Sequence, residues 1–172
     1  NQVTGCTRKK CKVILTISCF DWHGDITLLR SELSDYLINL ALSDGKVIAM
    51  SVKNDALQGL DFEEVEAMKK LGLTGFESME ECSSYYALIS PVGIAEETGQ
   101  TMVTYESEID GALFKIESAG RGAGSYSSIM ISGTEYSRNC NGINIVVYDT
   151  GTGSVSDAVT FDLCSESREG AR

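Results

Sequence analysis

One histidine, one proline and one tryptophan in 172 residues narrow the chemistry this chain can perform. A zinc site would have to be built from cysteine thiolates, because His23 is the sole imidazole and none of the six cysteines forms a Cys-x-x-Cys pair. Nucleophilic catalysis with a histidine base would rest on His23 alone, which sits in Trp22-His-Gly between Asp21 and Asp25. No Gly-x-Ser-x-Gly elbow accompanies it. No apolar run approaches the roughly 18 residues that span a bilayer, and no Asn-x-Ser/Thr sequon is present. No Pro-rich or low-complexity stretch marks a linker, so one domain over residues 1–172 is expected. Positive charge is scarce as well: 14 Lys and Arg stand against 25 Asp and Glu, a net charge of -11. That balance repels phosphate backbones and anionic membranes. Nucleic acid, membrane insertion, metals, cofactors and catalysis are therefore not expected of this chain.

Cysteine is what the sequence does contain. Cys6, Cys11, Cys19, Cys82, Cys140 and Cys164 are even in number and scattered, which fits a disulfide framework better than a metal cluster. Fifteen pairings of six cysteines are possible, and spacing does not choose among them. The chain begins at Asn1 rather than Met, which fits removal of a signal peptide, and a secreted protein is the expectation. The basic cluster Arg8-Lys9-Lys10-Cys11-Lys12 reads as a solvated N-terminal arm.

Along the chain, residues 1–18 give that polar arm followed by a buried strand, Val13-Ile-Leu-Thr-Ile. Leu29, Leu33, Tyr36, Leu37 and Leu40 recur every three or four residues, predicting a helix from a cap at Asp25 or Thr27 to about Leu42. Lys46–Val52 is a short apolar strand. Asp61 stands three residues before Glu64, a capping-box spacing, with Leu60 and Val65 at the staple positions and Phe62, Val65, Met68 and Leu71 as an apolar stripe. Tyr85–Ser90 reads as a strand stopped by Pro91. Residues 93–111 are polar and acidic and read as a connecting segment, with one strand at Thr101–Tyr105. Strands are expected at about Ala112–Ser118 and Tyr126–Ser132. A hairpin over Gly142–Leu163 follows, in which Ile143, Ile145 and Val147 alternate with Asn144, Val146 and Tyr148 around the turn Asp149-Thr-Gly-Thr-Gly.

Two glycine-rich stretches invite functional readings. Gly120-Arg-Gly-Ala-Gly would cradle a phosphate if it led from a strand into a helix, but strand pattern follows it, and a β connection is the simpler reading. Asp149-Thr-Gly-Thr-Gly-Ser-Val-Ser-Asp157 lacks the alternating Asp/Asn and closing Glu of a calcium loop. The aromatic residues Trp22, Tyr85, Tyr86, Tyr105 and Tyr126 carry more weight, because aromatic faces beside short polar acceptors hold sugar rings.

The runs Phe114-Lys-Ile-Glu-Ser-Ala-Gly, Ile129-Met-Ile-Ser-Gly, Tyr136-Ser-Arg-Asn, Gly142-Ile-Asn-Ile-Val-Val-Tyr-Asp, Thr152-Gly-Ser-Val and Phe161-Asp resemble the first half of the interleukin-like EMT inducer (PANDER-like) domain. Phe20-Asp-Trp-His-Gly-Asp, Lys46-Val-Ile-Ala-Met-Ser-Val, the Asn54-Asp55 loop, Leu71-Gly-Leu-Thr and Tyr86-Ala-Leu-Ile resemble its second half. The two halves stand here in reversed order, so the chain resembles a circularly permuted member, and a Phe-Asp pair occurs at both Phe20 and Phe161. This order predicts that Phe161–Cys164 and Cys19–Trp22 lie side by side.

The resemblance implies an α+β fold, a compact ββα-type domain of two antiparallel sheets with flanking helices. It also implies a function, because the family includes secreted signalling proteins and the glycan-binding stem domain of an O-mannose N-acetylglucosaminyltransferase. In that glycan-binding member an acidic residue after the strand like Lys46–Val52, and an Arg in an Arg-Asp-x-Trp run, contact the sugar. The corresponding positions here are Asn54 and Asp55, and Ser83-Ser-Tyr-Tyr86, which lacks the Arg. A lectin-like protein without catalysis is the resulting expectation. Asn54 and Asp55 would bond sugar hydroxyls, Tyr86 or Trp22 would stack on the ring, glycans or glycoproteins would be the partners, and a homo-oligomer would supply avidity. The alternative is a cytokine-like or toxin-like ligand of a protein receptor.

Overall fold

A computed structural model describes residues 27–29, 33–54, 57 and 60–163. The fold is α+β. In chain order it comprises β1 (Thr27–Leu29), α1 (Leu33–Ala41), β2 (Lys46–Lys53), α2 (Phe62–Lys70), β3 (Ser84–Ser90), β4 (Gly93–Gly99), β5 (Val103–Ile109), β6 (Ala112–Ala119), β7 (Tyr126–Ile131), β8 (Thr134–Glu135), β9 (Gly142–Asp149) and β10 (Ser154–Asp162). The N-terminal arm, its strand and the Cys19–Trp22 segment lie outside the described residues, as do Cys6, Cys11 and Cys164.

The apolar run Val47–Val52 makes β2 the central strand. It is buried along that whole length because it is covered on both faces, which is why it reads as continuous rather than alternating. Ile48, Met50 and Val52 point to the helices, where they join Leu33 and Leu37 of α1 and Ala67 and Met68 of α2. Val47 and Ala49 point the other way and join Phe114, Ile116, Ile129 and Ile131 of β6 and β7. The hairpin strand β9 repeats the division: Ile143, Ile145 and Val147 face the helices, and Val146 and Tyr148 face β6 and β7. Asn144 shares this second face and is 1 % exposed. Its amide donates to the Cys140 carbonyl at 3.0 Å and accepts from Thr160 Oγ1 at 2.9 Å, which removes the cost of burying it.

Pairing runs β1-β10-β9-β2, with β3 and β4 continuing beyond β2, while β5, β6, β7 and β8 pair in turn around β6. All the strands belong to one hydrogen-bonded network. It is mixed, because β1 lies parallel to β10 and β2 meets β6 in parallel at the single register pair Lys53↔Ala119. Where β2 and β3 diverge from β6, serine hydroxyls replace the missing ladder. Ser51 Oγ donates to the Glu117 carbonyl at 2.7 Å and Ser118 Oγ to the Val52 carbonyl at 2.7 Å. Ser118 Oγ accepts from Tyr85 N at 3.0 Å, and Ser84 Oγ accepts from Gly120 N at 3.0 Å. These three serines are fully buried and fully engaged.

Local signals set the element ends. The Asp61–Glu64 capping box forms as expected, with Glu64 N donating to Asp61 Oδ1 at 3.0 Å and Asp61 N to Glu64 Oε2 at 2.8 Å. Two expectations are corrected. Thr27–Leu29 is a strand beside Thr160–Asp162, so α1 starts at Leu33 rather than at a cap on Thr27. The segment 93–111 is two full strands, β4 and β5. It reads as a connector because, among the described residues, each strand pairs on one side alone and many of its positions are exposed and polar.

Candidate functional site

The site builds up at the end of β2, where several loops converge. The chain leaves β2 through Asn54 at φ 62°, a left-handed position that Asn tolerates better than most residues. Asn54 Nδ2 donates to Asn141 Oδ1 at 2.6 Å, and Lys53 Nζ donates to the Asn139 carbonyl at 2.7 Å. Asn139 is itself left-handed, at φ 54°, and its side chain accepts from Ser127 N at 3.0 Å. Two amide side chains and an ammonium thus meet at the surface. Each amide keeps further donor and acceptor capacity after this mutual bond.

Three residues beyond Asn54, Leu57 lines a groove of about 360 Å³ together with Phe76, Met79, Glu80 and Glu81. Phe76 and Met79 supply an apolar floor, and the two glutamates supply acceptors on its rim. The segment that follows Glu81 is fixed by close backbone approach. A Cβ on Gly120 would sit 2.2 Å from the Cys82 carbonyl oxygen and 2.4 Å from that of Ser83, so only glycine fits there. Gln100 Nε2 steadies the same segment by donating to Glu80 Oε2 and Ser83 Oγ, both at 3.0 Å.

Glu96 of β4 holds the groove's floor in place. Its carboxylate accepts from Thr74 N at 2.9 Å, Thr74 Oγ1 at 3.3 Å and the Tyr85 hydroxyl at 2.9 Å, and from the backbone of Gly75. Thr74 and Gly75 open the 3-10 turn Gly75–Ser78 that carries Phe76. Burial alone would raise the Glu96 pKa, but these hydrogen bonds outweigh it and hold the carboxyl below its ordinary range. A lowered folded-state pKa stabilises the fold at neutral pH, and the benefit is lost as pH falls through the folded value. Glu96→Gln is therefore expected to lower stability by about 1 kcal/mol at pH 7. Urea midpoints measured down a pH series should show the gap from wild type closing below the ordinary carboxylate range.

The aromatic residues fare differently from expectation. Tyr86 is 5 % exposed, with its ring 5.4 Å from that of Tyr105 and its hydroxyl 3.4 Å from Glu97 Oε2. It packs between the β-layers because its partner in register, Ser51, lies on the β2 face opposite the helices. No face of it is open to stack on a sugar, which corrects that assignment. Burial first, and the Glu97 carboxylate second, push the Tyr86 phenol up. Tyr85 is 1 % exposed, whereas Tyr126 is 36 % exposed. Trp22 and Asp55 lie outside the described residues, as does His23. Of the expected contact residues, Asn54 is thus the one that the structure describes at the surface beyond β2. Asn141, Glu80 and Glu81 went unnoticed because nothing in their local sequence links them to Asn54; only the fold brings the 79–83 and 137–141 loops to the end of β2.

Of the six cysteines, Cys82 and Cys140 are described, and they are not bridged to each other. Among the described residues no three His, Cys, Asp or Glu side chains are grouped as a metal site, and no helix is long and apolar enough to cross a membrane. No protein-family model, curated protein or solved structure matches this chain.

Proposed function

We propose that this chain is a secreted carbohydrate-binding domain that acts without catalysis, with its sugar site in the groove between the loop after β2 and the segment before β3. The observation that carries the reading is the groove itself: an apolar floor of Leu57, Phe76 and Met79 under the rim carboxylates Glu80 and Glu81, beside the Asn54–Asn141 amide pair. Sugars present hydroxyl donors around an apolar C–H face, and this set offers acceptors around apolar surface. A groove open to solvent suits the end of a chain on a glycan or glycoprotein. Single-site affinity would be low, and a homo-oligomer would raise it by avidity. The architecture we propose is a permuted interleukin-like EMT inducer domain, with the six cysteines in disulfides.

A glycan array tests the function. Binding is expected to at least one class of glycan, and Glu80→Gln, Glu81→Gln and Asn54→Ala should each weaken it by about tenfold, one lost hydrogen bond to a sugar hydroxyl apiece. Silence across the array at high protein concentration would overturn the reading. Binding that survives the Glu80→Gln/Glu81→Gln double change would move the site elsewhere.

One observation favours the alternative, a cytokine-like or toxin-like ligand of a protein receptor. Leu42, Phe62 and Val92 are 80 %, 77 % and 84 % exposed, apolar surface that a protein partner would cover. That alternative predicts cell-surface binding that persists after enzymatic removal of glycans and falls in Phe62→Ser.

A further inference from the structure

We propose that Asn141 is a site of self-modification, at which the Gly142 amide closes on the Asn141 side chain and converts it to an aspartyl or isoaspartyl residue. Asn54 sets the pace by tethering that side chain.

The reaction needs an asparagine whose side chain can swing onto the backbone nitrogen of the next residue, and a next residue with no side chain to screen that nitrogen. Asn141-Gly142 is the single Asn-Gly pair in the sequence. The other asparagines precede Gln2, Leu40, Asp55, Cys140 and Ile145. Two of them are also held by the fold: Asn144 is 1 % exposed with both ends of its amide bonded, and the Asn139 side chain accepts from Ser127 N. Asn141 is exposed.

Around position 141 a pinned main chain carries a side chain on a light tether. Lys53 Nζ holds the Asn139 carbonyl at 2.7 Å, and Asn144 Nδ2 holds that of Cys140 at 3.0 Å. The Asn141 side chain is held by the bond that its Oδ1 accepts from Asn54 Nδ2 at 2.6 Å, on the exposed side of the loop. Gly142 opens β9 in the last register pair with β2, Lys53↔Gly142, and a terminal pair frays before the interior of a ladder. Fraying frees its amide without unfolding the sheet.

Water is the sole co-reactant. Hydroxide takes the Gly142 amide proton, and the nitrogen bonds to Asn141 Cγ. The Cγ–Nδ2 bond then breaks, and the departing nitrogen takes a proton from water and leaves as ammonia, which regenerates the hydroxide. Water opens the resulting cyclic imide. Breaking the bond to Cγ gives the aspartyl form, and breaking the bond to the main-chain carbonyl carbon gives the isoaspartyl form.

Either product alters the surface beyond β2. A carboxylate only accepts hydrogen bonds, whereas the amide also donates. The isoaspartyl form also lengthens the main chain just before Gly142, where a Cβ would already stand 1.9 Å from the Phe161 carbonyl oxygen.

Incubation of the full chain at mildly alkaline pH tests the assignment, read by peptide mapping with mass spectrometry and by enzymatic methylation of isoaspartyl groups. The peptide carrying Asn141 is expected to gain the mass of an amide-to-acid change before any peptide carrying another asparagine. Asn54→Gly, which keeps the left-handed backbone and removes the tether, should speed that gain by about fivefold, the worth of one hydrogen bond. No conversion at Asn141 in the folded protein would overturn the proposal, as would another asparagine converting first. A rate in Asn54→Gly equal to that of the wild-type chain would overturn the role of Asn54.

Discussion

Replacing Gly142 by alanine is expected to destabilise the fold by on the order of 4 kcal/mol, close to the whole margin of many domains. Two costs combine. Gly142 has φ 116°, a conformation that L side chains rarely adopt. A Cβ there would also stand 1.9 Å from the Phe161 carbonyl oxygen and 3.0 Å from the Asp162 Cα. Relief would require β9 and β10 to part at Ile143↔Phe161, and Phe161 is fully buried with its ring 5.3 Å from Tyr36. Displacing it disturbs β1 as well, since Leu28 pairs with Phe161. Gly133→Ala separates the two costs. Gly133 has φ 83°, and a Cβ there would meet nothing within 4 Å, so its substitution should cost only the conformational part, about 1 kcal/mol. Urea unfolding of both variants gives the difference. Equal losses would mean that the backbone accommodates the contact.

Ser118→Ala should cost about 3 kcal/mol, although it removes a single oxygen. Its hydroxyl donates to the Val52 carbonyl and accepts from Tyr85 N, and it is fully buried. Alanine would leave a donor and an acceptor stranded where water does not reach, and each stranded group costs about 1–3 kcal/mol. Ser78 provides the contrast. Its hydroxyl donates to the Gly75 carbonyl at 2.8 Å in an exposed turn, where water can replace it, and Ser78→Ala should change stability by less than about 0.5 kcal/mol. A small loss in Ser118→Ala would show that the seam between β2, β3 and β6 admits water.

Elements with a strong local signature could be read from the chain itself. The Asp61–Glu64 box announces α2, the apolar run from Val47 announces a doubly covered strand, and the Asp149 turn announces the hairpin. Elements whose identity depends on a distant partner could not. Thr27–Leu29 continues a helical periodicity and becomes a strand because β10 offers it an edge. Glu106 and Glu108 make the second half of β5, beyond the strand expected at Thr101–Tyr105, look like loop, yet its other face closes the core. The site follows the same rule: Asn54 could be picked out, whereas its neighbours come from residues 76–81 and 141, and the burial of Tyr86 follows from its register with Ser51. Register over such separations is a property of the assembled sheet and leaves no trace in a short window.

The central position of β2 also bears on how the chain is made. Its partner across one edge is β9, so that Lys46 meets Asp149 some 103 residues later. At about 5–20 residues per second, ribosomal synthesis leaves that edge without its partner for roughly 5–20 s. β3 arrives sooner and can cover the other edge through Ile48↔Ile89 to Ser51↔Tyr86. During that interval Val47–Val52 is a half-paired apolar strand. The nascent chain thus passes through an interval in which this edge is exposed to other chains, and the interval closes only when the last hairpin emerges.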